Sequence, residues 1–162
     1  MNLRDFEPGD SEALVKLLGN LNVSKYLSSR VPYPYTHQDA EWWITTGSKQ
    51  GYVRAIVEND TLVGCIGVET GEFEECRSGE IGYWLGEPHW GQGLATAAVT
   101  EVTDYFFEHT ELVRLVAPVF APNLASMRVL EKCGYTLEGV ARNACYKAGE
   151  FCDKHVYAKV RS

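Results

Sequence analysis

Residues 84–98 read WLGEPHWGQGLATAA. An apolar, strand-like run ends at Leu85, the chain turns through Gly86, Pro88, Gly91 and Gly93, and an alanine-rich helical pattern follows at once. A strand, a bare turn and a helix start gather unpaired backbone amides and the positive end of a helix dipole around one small space, which favours phosphate groups. Glycine at 91 and 93 lets the main chain approach such a group closely, although a tight turn also uses glycine for its own geometry. No Gly-Lys-Ser/Thr follows, so the stretch is not a P-loop. Thr96 stands where a dinucleotide fingerprint requires Gly or Ala, so that reading falls too. A second pattern, Asn123-x-x-Ser126, opens another helix. Asn is a preferred N-cap, and a serine three residues on can simply face solvent. The five cysteines, at 65, 76, 133, 145 and 152, show no CxxC spacing, and the four histidines, at 37, 89, 109 and 155, are scattered. A zinc site or a disulfide framework is therefore not expected, and the metal expectation is none.

The elements that must position these residues follow from periodicity. At 162 residues, 45% hydrophobic and 23% charged, the chain has the composition of one globular domain, 1–162. The polar opening MNLRDFEPGDSE has no apolar segment behind it that would make a signal peptide or span a bilayer, so a cytoplasmic setting with reduced thiols is expected. A net charge of −7 opposes binding to nucleic acid or anionic membrane, so a phosphorylated ligand must be held locally. A short strand is expected at 3–6, and a helix capped by Asp10-Ser11 and buried through Leu14, Leu17 and Leu18. Residues 31–36, VPYPYT, cannot be helical. Thr36 with Asp39 forms a capping box for a second helix carrying Trp42 and Trp43. The run from Tyr52 reads as a hairpin turning at Asn59-Asp60, and Glu80 begins another strand. A helix over 94–109, a buried strand from Leu112, a helix from Asn123 to Cys133 ended by Gly134, and two runs at 135–146 and 151–160 around KAGE complete the pattern. The class is α/β (α+β): a mixed, mostly antiparallel sheet of about six or seven strands flanked by helices.

Three stretches, GEIGYWLGEPHWGQGLATAAV, APNLASMRVLEKCGYTLEGVAR and GEFCDKHVYAKV, together resemble the GNAT family of acetyltransferases, in the branch that includes ribosomal-protein Ala/Ser N-terminal acetyltransferases. The likeness extends to PYPYTHQDAEWWI near the start and covers nearly the whole chain. The resemblance implies acetyl-coenzyme A as the anionic co-substrate, with the pyrophosphate on amides of the segment Trp90, Gly91, Gln92, Gly93, Leu94, Ala95 and Thr96. It lays the pantetheine arm along Tyr83, Trp84 and Leu85, at the end of a strand that splays from its neighbour. Pro88 stands where the looser family motif often has Gln or Arg, and proline is common there in this branch.

By the same resemblance Asn123 bonds the pantetheine region, and Ser126 is the hydroxyl near the thioester sulfur that protonates the leaving thiolate. Amine acetylation needs a neutral amine, and Glu80, on the same strand face as Trp84, is the candidate base. Well-studied members of the branch use a Glu directly before a Tyr in the strand after the second motif, where this chain has Cys145 before Tyr146. A cysteine there reads as packing, since the family transfers directly without a covalent enzyme intermediate. Arg128 and Lys132, one helical turn apart, are placed to meet coenzyme phosphates, but paired charges at this spacing are commonly solvated and that reading is preferred. Asp153 matches a family position in the last hairpin, where the resemblance allows it equally to orient backbone or a loop or to touch substrate. Tyr33, Tyr35, Trp42 and Trp43 fall in the region that walls the acceptor site in this family, Trp43 being the one of the pair expected to line it; core packing is the rival for either Trp, and adjacent helical positions leave one of the two exposed. The expected activity is acetyl transfer to a primary amine, a protein N-terminus or a small amine, in a ternary complex, by a monomer or homodimer. A non-catalytic acyl-coenzyme A binding or sensing module is the rival.

Overall fold

Asn59 and Asp60 both adopt the left-handed region in the computed structural model, with φ of 50° and 60°. That is the type I′ turn whose twist suits the two strands it joins. The structure describes residues 1–162. In chain order the elements are β1 (Asn2–Arg4), α1 (Ser11–Leu18), α2 (Leu21–Ser24), α3 (His37–Thr45), β2 (Tyr52–Glu58), β3 (Thr61–Thr70), β4 (Ser78–Leu85), α4 (Leu94–His109), β5 (Arg114–Phe120), α5 (Leu124–Lys132), β6 (Thr136–Lys147) and β7 (Glu150–Val160). The strands form one seven-stranded sheet in the order β1-β2-β3-β4-β5-β7-β6. Pairing is antiparallel for β1 with β2, β2 with β3, β5 with β7 and β6 with β7, and parallel for β4 with β5. The mixed sheet and its helices agree with the class read from the sequence.

The chain condenses into two compact units, residues 1–68 with 82–98, and residues 69–81 with 99–162. In the first, Leu14, Leu17 and Leu18 of α1 are buried, as the periodicity requires. Phe6, Leu14, Leu18, Tyr35, Ile44 and Val57 belong to one apolar cluster, against which Trp43 and Trp84 pack. The α3 capping box forms as expected: Asp39 N donates to Thr36 Oγ1 at 3.2 Å, and Thr36 N donates to Asp39 Oδ2 at 2.9 Å. Asp10 departs from expectation. It holds the N-cap position of α1 without a side-chain capping bond. Its carboxylate instead receives Arg4 Nη1 and Nη2, each at 2.8 Å, and Glu7 N at 2.9 Å. A bidentate guanidinium is a stronger partner than a helix amide.

Burial pushes the Asp10 carboxyl up, but the hydrogen bonds from Arg4 and from the Glu7 amide, with the Arg4 charge, hold it below the usual range. A depressed carboxyl adds stability above its unfolded value, about 4, that is lost as pH falls through the folded value. The melting temperature of Asp10→Asn should therefore lie below wild type at neutral pH, and the gap should close as pH drops below about 4. A gap constant with pH in thermal melts would remove the ion pair from the account.

In the second unit β5 alternates, with Leu115, Ala117 and Val119 buried, and starts at Arg114, two residues later than expected. Thr103, fully buried on α4, meets the Tyr135 hydroxyl at 2.8 Å. α5 is capped by Asn123, whose Oδ1 accepts from Ser126 N at 3.2 Å, and Gly134 follows it at φ 85°. β6 and β7 each run one residue further into their turn than expected.

Candidate active site

The turn that opens α4 is built from the end of β4. Gly86 has an ordinary extended backbone, and its need for glycine is spatial, because a Cβ there would run into the Leu17 side chain. Gly91 and Gly93 differ: their φ values are 73° and 76°, and a Cβ on either would meet nothing within 4 Å. Both are exposed. Glycine is thus required at 91 and 93 by backbone conformation, and the space before the loop is open.

The helical ladder of α4 begins with Ala97 N donating to Gly93 O at 3.0 Å. The amides of Gly91, Gln92, Gly93, Leu94 and Ala95 precede that bond and are the unpaired donors of the helix start. Two side chains brace the loop from behind. Trp90 Nε1 donates to Leu85 O at 2.8 Å, and Gln92 Nε2 donates to Pro88 O at 3.2 Å. Neither consumes an amide of the helix start. No Lys or Arg lies between residues 86 and 98, so what this segment itself offers an anion is main-chain dipoles.

A third brace was not readable from the sequence. Asn20 Nδ2 and Asn22 Nδ2 donate to the same oxygen of Glu87, Oε2, at 2.7 and 2.9 Å. These bonds, Asn22 first and Asn20 second, hold the Glu87 carboxyl below the usual range. They tie the start of α2 to the turn before the loop. The partners are more than sixty residues apart, and no local spacing signals the contact.

The aromatic residues expected near an acceptor divide by burial. Tyr33 is 49% exposed and Tyr35 is 7% exposed. Burial, then the nearby Asp39 and Cys65, push the Tyr35 phenol up to about 12, so it stays protonated. Trp42 is exposed and Trp43 is half-buried, edge-on to Phe6 at 5.8 Å between centroids. The pair splits as the helical geometry requires. Tyr35 belongs to the cluster that Trp43 and Trp84 pack against, so these three share one apolar support.

In the second unit β4 pairs with β5 from Ser78↔Arg114 to Glu80↔Val116. Glu80 is the last paired residue and is exposed, with buried Ile81 on the opposite strand face. Tyr83, Trp84 and Leu85 lie beyond that pairing along β4. Ser126, in the first turn of α5, is half-buried. Asp153 acts on backbone: its Oδ1 accepts from Asn143 N at 2.8 Å, at a bulge of β6 where Asn143 has φ 51°. Arg128 and Lys132 are exposed. Across the chain, no three His, Cys, Asp or Glu side chains are grouped to hold a metal, and no helix is long and apolar enough to cross a membrane.

A family model described as an acetyltransferase (GNAT) domain matches residues 1–136. The chain belongs to the GNAT family and is an N-acetyltransferase. An uncharacterized N-acetyltransferase of Bacillus subtilis, YoaA, is 32% identical over 98% of this chain and 92% of its own length. The ribosomal-protein-serine acetyltransferase of Escherichia coli is 31% identical over 69% of this chain and 63% of its own. RimL, a ribosomal L7/L12 alpha-N-protein acetyltransferase solved in complex with coenzyme A, shares the fold with TM-score 0.86 at 23% identity, over 98% of this chain and 93% of RimL.

Proposed function

We propose that the chain acts as one catalytic domain, transferring acetyl from acetyl-coenzyme A to a primary amine by direct attack in a ternary complex. The observation that carries the reading is the α4 start: two glycines at positive φ, facing open space, beside amides that no carbonyl of the helix uses. In this reading the amides of residues 91–95 hold the pyrophosphate, the Trp90 amide expected among them being bonded instead to Glu87 O at 3.2 Å, and the edge of Tyr83, Trp84 and Leu85 takes the pantetheine. The end of the β4–β5 pairing at Glu80 supports a strand free to accept that arm. Asn123 bonds the pantetheine region through groups its cap leaves over. Glu80, exposed at the last paired position, accepts the amine proton directly or through water. The neutral nitrogen attacks the acetyl carbonyl, the carbon–sulfur bond breaks, and the Ser126 hydroxyl supplies a proton to the departing thiolate.

The acceptor is a protein N-terminus or a small amine. Likeness to the ribosomal-protein-serine acetyltransferase supports the first, and the net charge of −7 suits a cationic acceptor of either kind. A cytoplasmic setting belongs to the same reading, supported by five free thiols. Mixing the protein with acetyl-coenzyme A and an amine panel, a peptide bearing a free N-terminus included, should release coenzyme thiol with at least one acceptor. Tight acetyl-coenzyme A binding with no release from any amine would point to a sensing module, which the absent carboxylate at Cys145 permits.

Ser126→Ala should lower turnover far more than coenzyme affinity, because the hydroxyl matters as charge develops on sulfur. Since the Ser126 amide, not its hydroxyl, meets the Asn123 cap, the α5 start should survive the substitution. Unchanged turnover with a lowered melting temperature would return Ser126 to a structural role.

A further inference from the structure

The hairpin of β6 and β7 turns at Ala148 and Gly149, with φ of 52° and 79°, so Lys147 and Glu150 close a two-residue loop. Antiparallel pairs alternate in type from that closing pair, which carries the turn's own hydrogen bond. Tyr146↔Phe151 is then a non-hydrogen-bonded pair, and its rings stand 4.9 Å apart. Cys145↔Cys152 is the next pair, directly across the strands. Such pairs place Cα atoms about 5.5 Å apart, inside the span a disulfide bridges. Both residues are half-buried, whereas Cys65 and Cys133 are buried. Burial first, and then the Cys145 sulfur, by charge and by hydrogen bond, push the Cys152 thiol up. A bulge on β6, between Ala141 and Cys145 and held by Asp153, ends where this pair resumes the ladder.

We propose that Cys145 and Cys152 form a reversible dithiol site that takes low-molecular-weight disulfides as its oxidants. One thiolate attacks a sulfur of the small disulfide, forming a mixed disulfide and expelling one small thiolate. The neighbouring protein thiol, giving up its proton, attacks the protein sulfur of the mixed disulfide. The Cys145–Cys152 bond forms as the second small thiolate leaves. Two protein thiols are oxidised and one disulfide is reduced to two thiols. The second step is fast because its nucleophile is held across one strand pair. The closed loop is short, so the bond adds less stability than a cross-link over a long loop, and an excess of small thiol reverses both steps. Both cysteines accordingly remain free thiols in a reducing cytosol, and the site responds when a small disulfide accumulates.

The probe is glutathione disulfide, added in excess to reduced, folded protein, with intact mass and peptide mapping after alkylation. Wild type should lose two hydrogens through one internal crosslink joining 145 to 152, while exposed Cys76 takes a glutathionyl group as a positive control. Dithiothreitol should restore both thiols. In Cys152→Ser, Cys145 should hold a lasting glutathionyl adduct, at a level more than about tenfold above that in wild type. Mixed disulfides persisting on both cysteines of wild type, or a pair that stays reduced while Cys76 is modified, would overturn the proposal. None of these readouts uses acetyl transfer, so they stand apart from the acetyltransferase mechanism.

Discussion

Gly93→Glu should lose acetyl-coenzyme A binding by at least about 100-fold while the chain remains folded. Two effects of the substitution separate cleanly. A non-glycine residue at φ 76° costs about 1–2 kcal/mol of backbone energy, and a Cβ at this position meets no neighbour, so the fold has no clash to relieve. The second effect is electrostatic. A carboxylate placed among amides at the positive end of a sixteen-residue helix occupies the donors that the proposed site offers to phosphate and repels the phosphate itself. Gly93→Ala carries the first effect without the second and should retain most of the affinity. Titration calorimetry on both variants, with melting curves to confirm folding, reads the difference. Undiminished affinity in a folded Gly93→Glu protein would remove the loop from the coenzyme site.

What could be read along the chain and what could not divide by the range of the interaction. Gly91 and Gly93, the Thr36–Asp39 capping box, the Asn59-Asp60 turn and Gly134 after α5 act on neighbours within a few residues, and the structure has each where local chemistry placed it. The opposition of Cys145 and Cys152 was also legible, because a two-residue turn sets hairpin register. Asp10 makes no side-chain cap on α1 because Arg4 competes with the helix amide, and propensity for capping says nothing about such competition. The Glu87 bonds to Asn20 and Asn22, and the Leu17 side chain that requires Gly86, arise when distant segments pack. For Trp42 and Trp43 the helix dictates that they diverge, but the burial of Trp43 depends on Phe6, thirty-seven residues earlier.

Glu80→Gln should leave acetyl-coenzyme A affinity intact and slow acetylation by roughly 10² to 10⁴. The amide keeps the shape of the carboxylate and much of its hydrogen bonding but cannot accept a proton, so the loss falls on the step that frees the amine. Glu80 is exposed at the end of the β4–β5 ladder, and its replacement removes no buried contact. The melting temperature should therefore hold. The deficit should shrink as pH rises, because a larger share of the acceptor is already neutral and solvent replaces the carboxylate as base. Rates measured across about pH 6 to 9 at saturating coenzyme separate this from a positioning defect, which would lower the whole profile by a constant factor. Normal turnover of the variant over that range would leave proton removal to water or another group, and Glu80 would be only a residue of the strand.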